Sequence, residues 1–404
     1  RVFAIMSVYG RLQTVHTQLL LRGGPRTPLW PLAPEPYWEA TLPDEELMRR
    51  LRRAGTRPGG PRRTRLPRSA GLWGQFTTRG ADEMFAAGRR LRLWLDNTDI
   101  SDHGHEPSGV VASVLVSPGR RPELTARALL RGFCLPGQEV VIDASEGKTL
   151  RVQYSADDMP CAEEDAAARQ VAASEMSEAL GLASVGELGS SLPQLLDAAE
   201  CATVFGLLPE GSLKEATWQT LQAAPRQRTR ALLADKALAA EALAPLTRLL
   251  LGPSAHAAAR GRPDASRSIS ESADDFDGPW ISESAGSDRL RICVLPGFSL
   301  LCWVEAIRLR GLGAWPAPST CLLQETLLDD AGAAFIRFWQ LRESWELRPA
   351  WHSGVGPTPL ASLLEVVEEA VGMAGLPAIA DSEVHFVAPE HGEAAEASDS
   401  GRDT

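Results

Sequence analysis

Strand-like and helix-like patterns alternate over residues 1–150, stop alternating from about Ala162 to Leu251, and resume at Arg291. In the middle stretch Ala, Leu and Glu dominate, and breakers stand at Gly189, Pro193 and Pro209, so it reads as helices joined by turns. On either side, apolar runs of strand length occur at 14–21, 110–116, 291–295, 321–328 and 334–339. Helical spacing appears at 78–95, through Met84, Phe85, Gly88, Leu91 and Trp94, and again at 121–133 and 359–371. Strands and helices that alternate, pause for a run of helices and resume predict an α/β domain carrying an all-helical insertion. The expected division is an α/β core at 1–155 and 289–386, a helical cap at 156–252, a flexible acidic loop at 253–288 and a disordered tail at 387–404.

The acidic loop is rich in Ser, Asp and Gly and repeats ISESA at 269–273 and 281–285, too short a duplication for a repeat architecture. A net charge of −11 argues against nucleic acid as a partner. Positive charge is nevertheless concentrated between Arg49 and Arg68, where Gly and Pro predict a loop, either simply solvated or a patch for an anionic partner. No segment has the roughly 20 apolar residues of a membrane-spanning helix; 292–304 is the longest apolar run and reads as a buried strand and turn. The six cysteines, at 134, 161, 201, 293, 302 and 321, show no CxxC spacing, so no zinc site is expected. Residue 1 is Arg rather than Met, as in a fragment or processed chain, which leaves the compartment open.

The chemistry-bearing feature is the end of the first strand, Arg22-Gly23-Gly24-Pro25-Arg26-Thr27-Pro28. Two arginines four apart, separated by glycines, aim two planar forks at one anion while the backbone comes close. This segment resembles the R-H-G-x-R-x-P signature of the histidine acid phosphatases, with Arg22, Gly24, Arg26 and Pro28 matching and Gly23 standing where that family has its nucleophilic histidine. The resemblance continues in order. Gly74-Gln75-Phe76-Thr77 with Gly80, Gly88 and Leu91-Arg92 is similar to the family's G-Q-L-T-x-x-G helix, and Arg121 with Thr125-Ala126 and Leu130-Arg131-Gly132 to its R-T-x-x-S-A segment. Asp197 with Cys201 and Leu208-Pro209, then Leu309-Arg310-Gly311-Leu312 with Trp315-Pro316, and Thr358-Pro359-Leu360 are similar to later family patterns. The family's second catalytic motif, G-H-D, corresponds to Gly297-Phe298-Ser299, so the phosphate-holding histidine and the proton-donating aspartate are replaced as well.

The resemblance implies a three-layer α/β/α core with a mostly parallel sheet, like that of phosphoglycerate mutase, plus a helical cap. It also implies a phosphate site formed by Arg22, Arg26 and Arg121 and compatibility with a secretory or lysosomal-type compartment; no cofactor and no metal are expected. Without the imidazole at Gly23 and the acid at Ser299, phosphoryl transfer has neither nucleophile nor proton donor. The expected protein is therefore an inactive or impaired relative that binds a phosphorylated small molecule or phosphate anion in an arginine cluster with few neighbouring acids; against such binding stands Phe298, placed to fill the space left at Gly23. Two rivals stand beside it: an active phosphatase with a different nucleophile, and an interaction scaffold without an anion site. Other histidines do not supply the nucleophile, since His16 lies roughly 20 Å back along the strand. His103 and His105 read as an exposed polar turn rather than a metal site.

Overall fold

The computed structural model describes residues 12–32, 34–54, 71–96, 112–134, 140, 142–143, 146–152, 166–182, 191–260, 290–309, 316–341, 347–350 and 357–372. Expectations for His103, His105, Cys161, the tail and residues 261–288 of the acidic loop lie outside these.

The strands are β1 (Gln13–Arg22), β2 (Ala112–Val116), β3 (Ile142–Asp143), β4 (Leu290–Leu295), β5 (Cys321–Leu328), β6 (Ala334–Leu341), β7 (Leu347–Ala350) and β8 (Thr358–Pro359). They form one sheet in the order β3-β2-β4-β1-β5-β6-β7, with β8 beside β6. The core strands β3, β2, β4 and β1 are parallel, and an antiparallel edge continues from β5. Parallel strands need covered faces, and the leucine-rich run in β1 supplies one residue to each face in turn. Leu20, with Cys293 and Leu322, packs under Leu246, Leu250, Trp303 and Leu363, whereas Leu19 and Leu21, with Val294 and Leu323, pack under Met84, Leu129 and Phe133. This is the expected three-layer α/β/α arrangement.

The helices are α1 (Glu35–Ala40), α2 (Glu45–Arg52), α3 (Thr78–Asp96), α4 (Arg120–Phe133), α5 (Ala166–Leu180), α6 (Leu192–Val204), α7 (Glu215–Ala234), α8 (Lys236–Arg260), α9 (Gly297–Ala306) and α10 (Leu360–Val371). A separate apolar cluster joins Met176 of α5, Leu195, Leu196 and Ala199 of α6, and Leu221 of α7 to Trp38 of α1. By contrast, Leu243, Leu246 and Leu250 of α8 belong to the sheet cluster, so the helical stretch divides between the two.

Three local expectations are corrected. Residues 253–260 are the last turns of α8 rather than loop. Pro253 interrupts the hydrogen-bond ladder without ending the helix, because Ser254 and Ala258 are buried against the core. Arg49, Arg50 and Arg52 belong to α2 rather than to a loop; Asp44 caps that helix by accepting from Leu47 N at 2.7 Å, and the arginines complement its last turn. The run after Leu295 turns into helix α9 at Gly297 instead of ending in a turn.

Helices α3 and α4 approach each other at backbone distance. A Cβ on Gly88 would lie 2.0 Å from the Leu129 carbonyl oxygen, and one on Gly132 2.0 Å from that of Phe85. These reciprocal contacts seat α4, and with it Arg121, against the first site loop. Gly132→Ala is expected to cost about 1–3 kcal/mol or more by forcing the helices apart. Urea unfolding measures this, and an unchanged midpoint with an unchanged slope would contradict the contact.

Candidate functional site

The parallel strands β1, β2 and β4 end at one edge of the sheet, with Arg22 opposite Leu295 and Val116 opposite Val294. Open α/β sheets place their ligand crevices at such carboxyl ends. The chain leaving β1 there is held on several sides. Thr27 N donates to Gln75 O at 2.9 Å, Thr27 Oγ1 donates to Leu72 O at 2.8 Å and accepts from Gln75 N at 2.8 Å, and Gly74 N donates to Pro28 O at 2.7 Å. Thr77 Oγ1 donates to Pro25 O at 2.9 Å, and Gly24 N donates to Thr125 Oγ1 of α4 at 3.3 Å. Two of the glycines are required by proximity. A Cβ on Gly80 would sit 2.5 Å from Pro25 O, and one on Gly24 3.0 Å from the Phe76 ring. The Gly-Gln-Phe-Thr-x-x-Gly pattern thus serves to press the start of α3 against the arginine loop.

Arg22, Gly23, Gly24, Arg26 and Arg121 line one cavity, together with Asp197, Glu200 and Cys201 of α6. The Arg121 guanidinium lies over residue 23: a Cβ built there would be 3.3 Å from Arg121 Nε and 3.5 Å from Cζ. Phe298 and Ser299 are elsewhere. Phe298 packs against the sheet cluster, and the buried Ser299 hydroxyl accepts from Val152 N at 3.1 Å. The space at Gly23 is therefore covered by Arg121 rather than filled by Phe298, and Ser299 has a structural bond in place of a role in the cavity. Both residues start α9, whose first turn packs them inward.

The arginine cluster is not short of neighbouring acids, contrary to expectation. Arg22 makes a two-point pair with Glu200, at 3.2 Å from Nη1 and 2.8 Å from Nη2, and also donates to Pro316 O. Arg26 makes a similar pair with Asp197, whose Oδ2 also accepts from Leu29 N at 2.9 Å. All four side chains are at most 10% exposed. Burial works against the charge on Arg26, but Asp197, with help from Cys201 and Glu200, reverses this and holds its pKa above the ordinary value. Arg121 has no hydrogen-bonded or ion-paired partner among the described residues. Burial first, then the like charges of Arg26 and Arg22, push its guanidinium down to about 9, against a smaller opposing pull from Asp197. It is still cationic at neutral pH. Three cations against two carboxylates leave the site with a single positive charge.

Glu200 was not legible as a site residue, and Asp197 was legible only as part of a cap pattern. The available signal was their spacing with Cys201, which puts all three on one face of a helix. Cys201 is the one described residue of nucleophilic type lining the cavity, and burial, reinforced by Asp197, pushes its thiol up to about 12. At neutral pH it is a protonated, poorly nucleophilic group. Among the described residues no group of His, Cys, Asp and Glu side chains could hold a metal ion, and His16 is buried within β1 rather than at the cavity. No helix of the described residues is long and apolar enough to cross a membrane.

The sequence matches no family profile and no curated protein. Solved structures do match. Hafnia alvei phytase aligns over 90% of this chain and 98% of its own, at 15% identity and a TM-score of 0.56. The fold is that of the histidine acid phosphatases. The phytase of Klebsiella sp. ASR1 aligns over 89% of this chain and 96% of its own, at 16% identity and a TM-score of 0.54. The phytase of Citrobacter braakii aligns over 89% and 98%, at 12% identity and the same TM-score of 0.54. At these identities the likeness is one of fold. This chain thus shares its fold with these phytases.

Proposed function

We propose that this protein is a histidine acid phosphatase-like protein that does not hydrolyse phosphate esters and instead binds an oxyanion, a phosphorylated small molecule or phosphate itself, at Arg22, Arg26 and Arg121. The observation that carries this reading is the position of Gly23. It lies directly under the Arg121 guanidinium, where a nucleophile would have to stand, and offers no side chain. Transfer through a covalent intermediate needs a basic group aimed at phosphorus, and the cavity offers in its place a high-pKa thiol and two carboxylates already engaged by arginines. Electrostatic attraction by the arginines survives such a loss. The ligand class is supported by the fold relative from Hafnia alvei, which has been solved with myo-inositol hexakis sulphate.

Hydrolysis of an aryl phosphate, followed from about pH 3 to 8, is expected to stay at the uncatalysed rate. Turnover that disappears in Arg22→Ala would overturn the reading in favour of a working enzyme. A second reading, an interaction scaffold without an anion site, is favoured by the pairing of Arg22 and Arg26 with internal carboxylates. Calorimetry with inorganic phosphate separates the two: heat of binding at millimolar phosphate supports the anion pocket, and its absence supports the scaffold.

A further inference from the structure

The carboxylates of Glu200 and Asp197 occupy the same two-point geometry on Arg22 and Arg26 that a phosphate or sulfate would use. As it stands the cavity holds about 10 Å³, the space of one water molecule. A tetrahedral oxyanion does not fit until something withdraws. The lining divides by origin: the arginines come from the end of β1, the loop after it and the start of α4, while both carboxylates come from α6. The apolar residues of α6, Leu195, Leu196 and Ala199, pack in the cluster shared with α5, α7, Leu32 and Trp38, separate from the two clusters on the sheet. The two ion pairs, with the Leu29 N bond to Asp197, tie the arginine loop to this helical layer through polar contacts.

We propose that Glu200 and Asp197 are tethered competitors for the anion, so that an incoming oxyanion takes over the Arg22 and Arg26 forks and releases α6 from the core loop. This rests on the anion-binding reading above and adds a consequence to it: occupancy of the cavity is reported by the attachment of α6. Arg121, whose fork is engaged by no described residue, is the first contact for the anion, and exchange at Arg22 and Arg26 follows. The carboxylates also set which ligands succeed, because a weakly held single charge at Arg121 does not displace them, whereas a multiply charged oxyanion that engages several forks does.

Inorganic sulfate is a suitable probe because its charge is constant near neutral pH. Calorimetric titration should show Glu200→Gln and Asp197→Asn binding sulfate at least about tenfold more tightly than the unmodified protein, the size of one charge-assisted hydrogen bond. In the unmodified protein, hydrogen exchange at the backbone amides of α6 should accelerate when sulfate is added, a readout that does not depend on either variant folding. Equal sulfate affinity in all three proteins, with α6 exchange unchanged, would overturn the latch and leave the anion pocket standing. Binding in none of them would remove the anion pocket and the latch together.

Discussion

Replacing Arg26 with alanine is expected to destabilise the protein by about 3–5 kcal/mol. Arg26 and Asp197 are both nearly buried and meet through two hydrogen bonds. Removing the guanidinium leaves the Asp197 carboxylate out of water with only the Leu29 amide to answer it. Most of the loss comes from that stranded charge rather than from the pair's net worth, because desolvating both ions offsets much of their attraction. The double replacement Arg26→Met with Asp197→Leu should therefore recover a large part of the loss, since neither buried position then carries a charge. Urea unfolding of the two single variants and the double variant yields the coupling directly. If Arg26→Ala unfolds at the midpoint of the unmodified protein, the buried pair is not holding the site loop to α6.

Arg121 should behave in the opposite way. Arg121→Gln is expected to raise stability by about 0.5–2 kcal/mol at neutral pH, the gain typical of relieving a functional strain. The charge at this position is half-buried beside two others of the same sign, and Asp197 offsets only part of their effect. Its folded-state pKa is lowered, so in the window from about 9 up to the ordinary arginine range the unfolded chain holds a proton that the folded chain has lost. Stability contributed by this group therefore rises with pH through that window, and below it the penalty is fully present. The advantage of Arg121→Gln should shrink as pH is raised above about 9. Bound phosphate supplies the missing negative charge, so it should raise the melting temperature of the unmodified protein and leave that of the variant unmoved. A melting temperature lowered by Arg121→Gln would mean that the guanidinium has a stabilising partner, and the case for it as the anion's first contact would fail.

The contrast between these two arginines marks the limit of reading the chain in one dimension. Arg22 and Arg26 were legible from their spacing around glycines, and Arg121 only from the resemblance of its segment to a histidine acid phosphatase motif. β5 is found with the bounds that the pattern of its sequence suggested, and β4 and α4 each begin one residue earlier. The partners were not legible. Glu200 stands 178 residues from Arg22, and Asp197 171 from Arg26, on a helix whose two acids do not reveal their partners until it is docked. Phe298 was misplaced for a related reason. Its position in the motif suggested the cavity, but the side-chain direction is set by the first turn of α9, and the adjacent buried Ser299 is tied to Val152 N.

Sequence alone determined the alternation of strands and helices, the glycines that let α3, α4 and the first loop touch, and the absence of a side chain at residue 23. Each depends on the residue itself or its close neighbours. Only the tertiary structure decided the charge of the cavity, because charge is a sum over whatever packs around it. Folding set two acids from a distant helix against two arginines and left the third without a described partner.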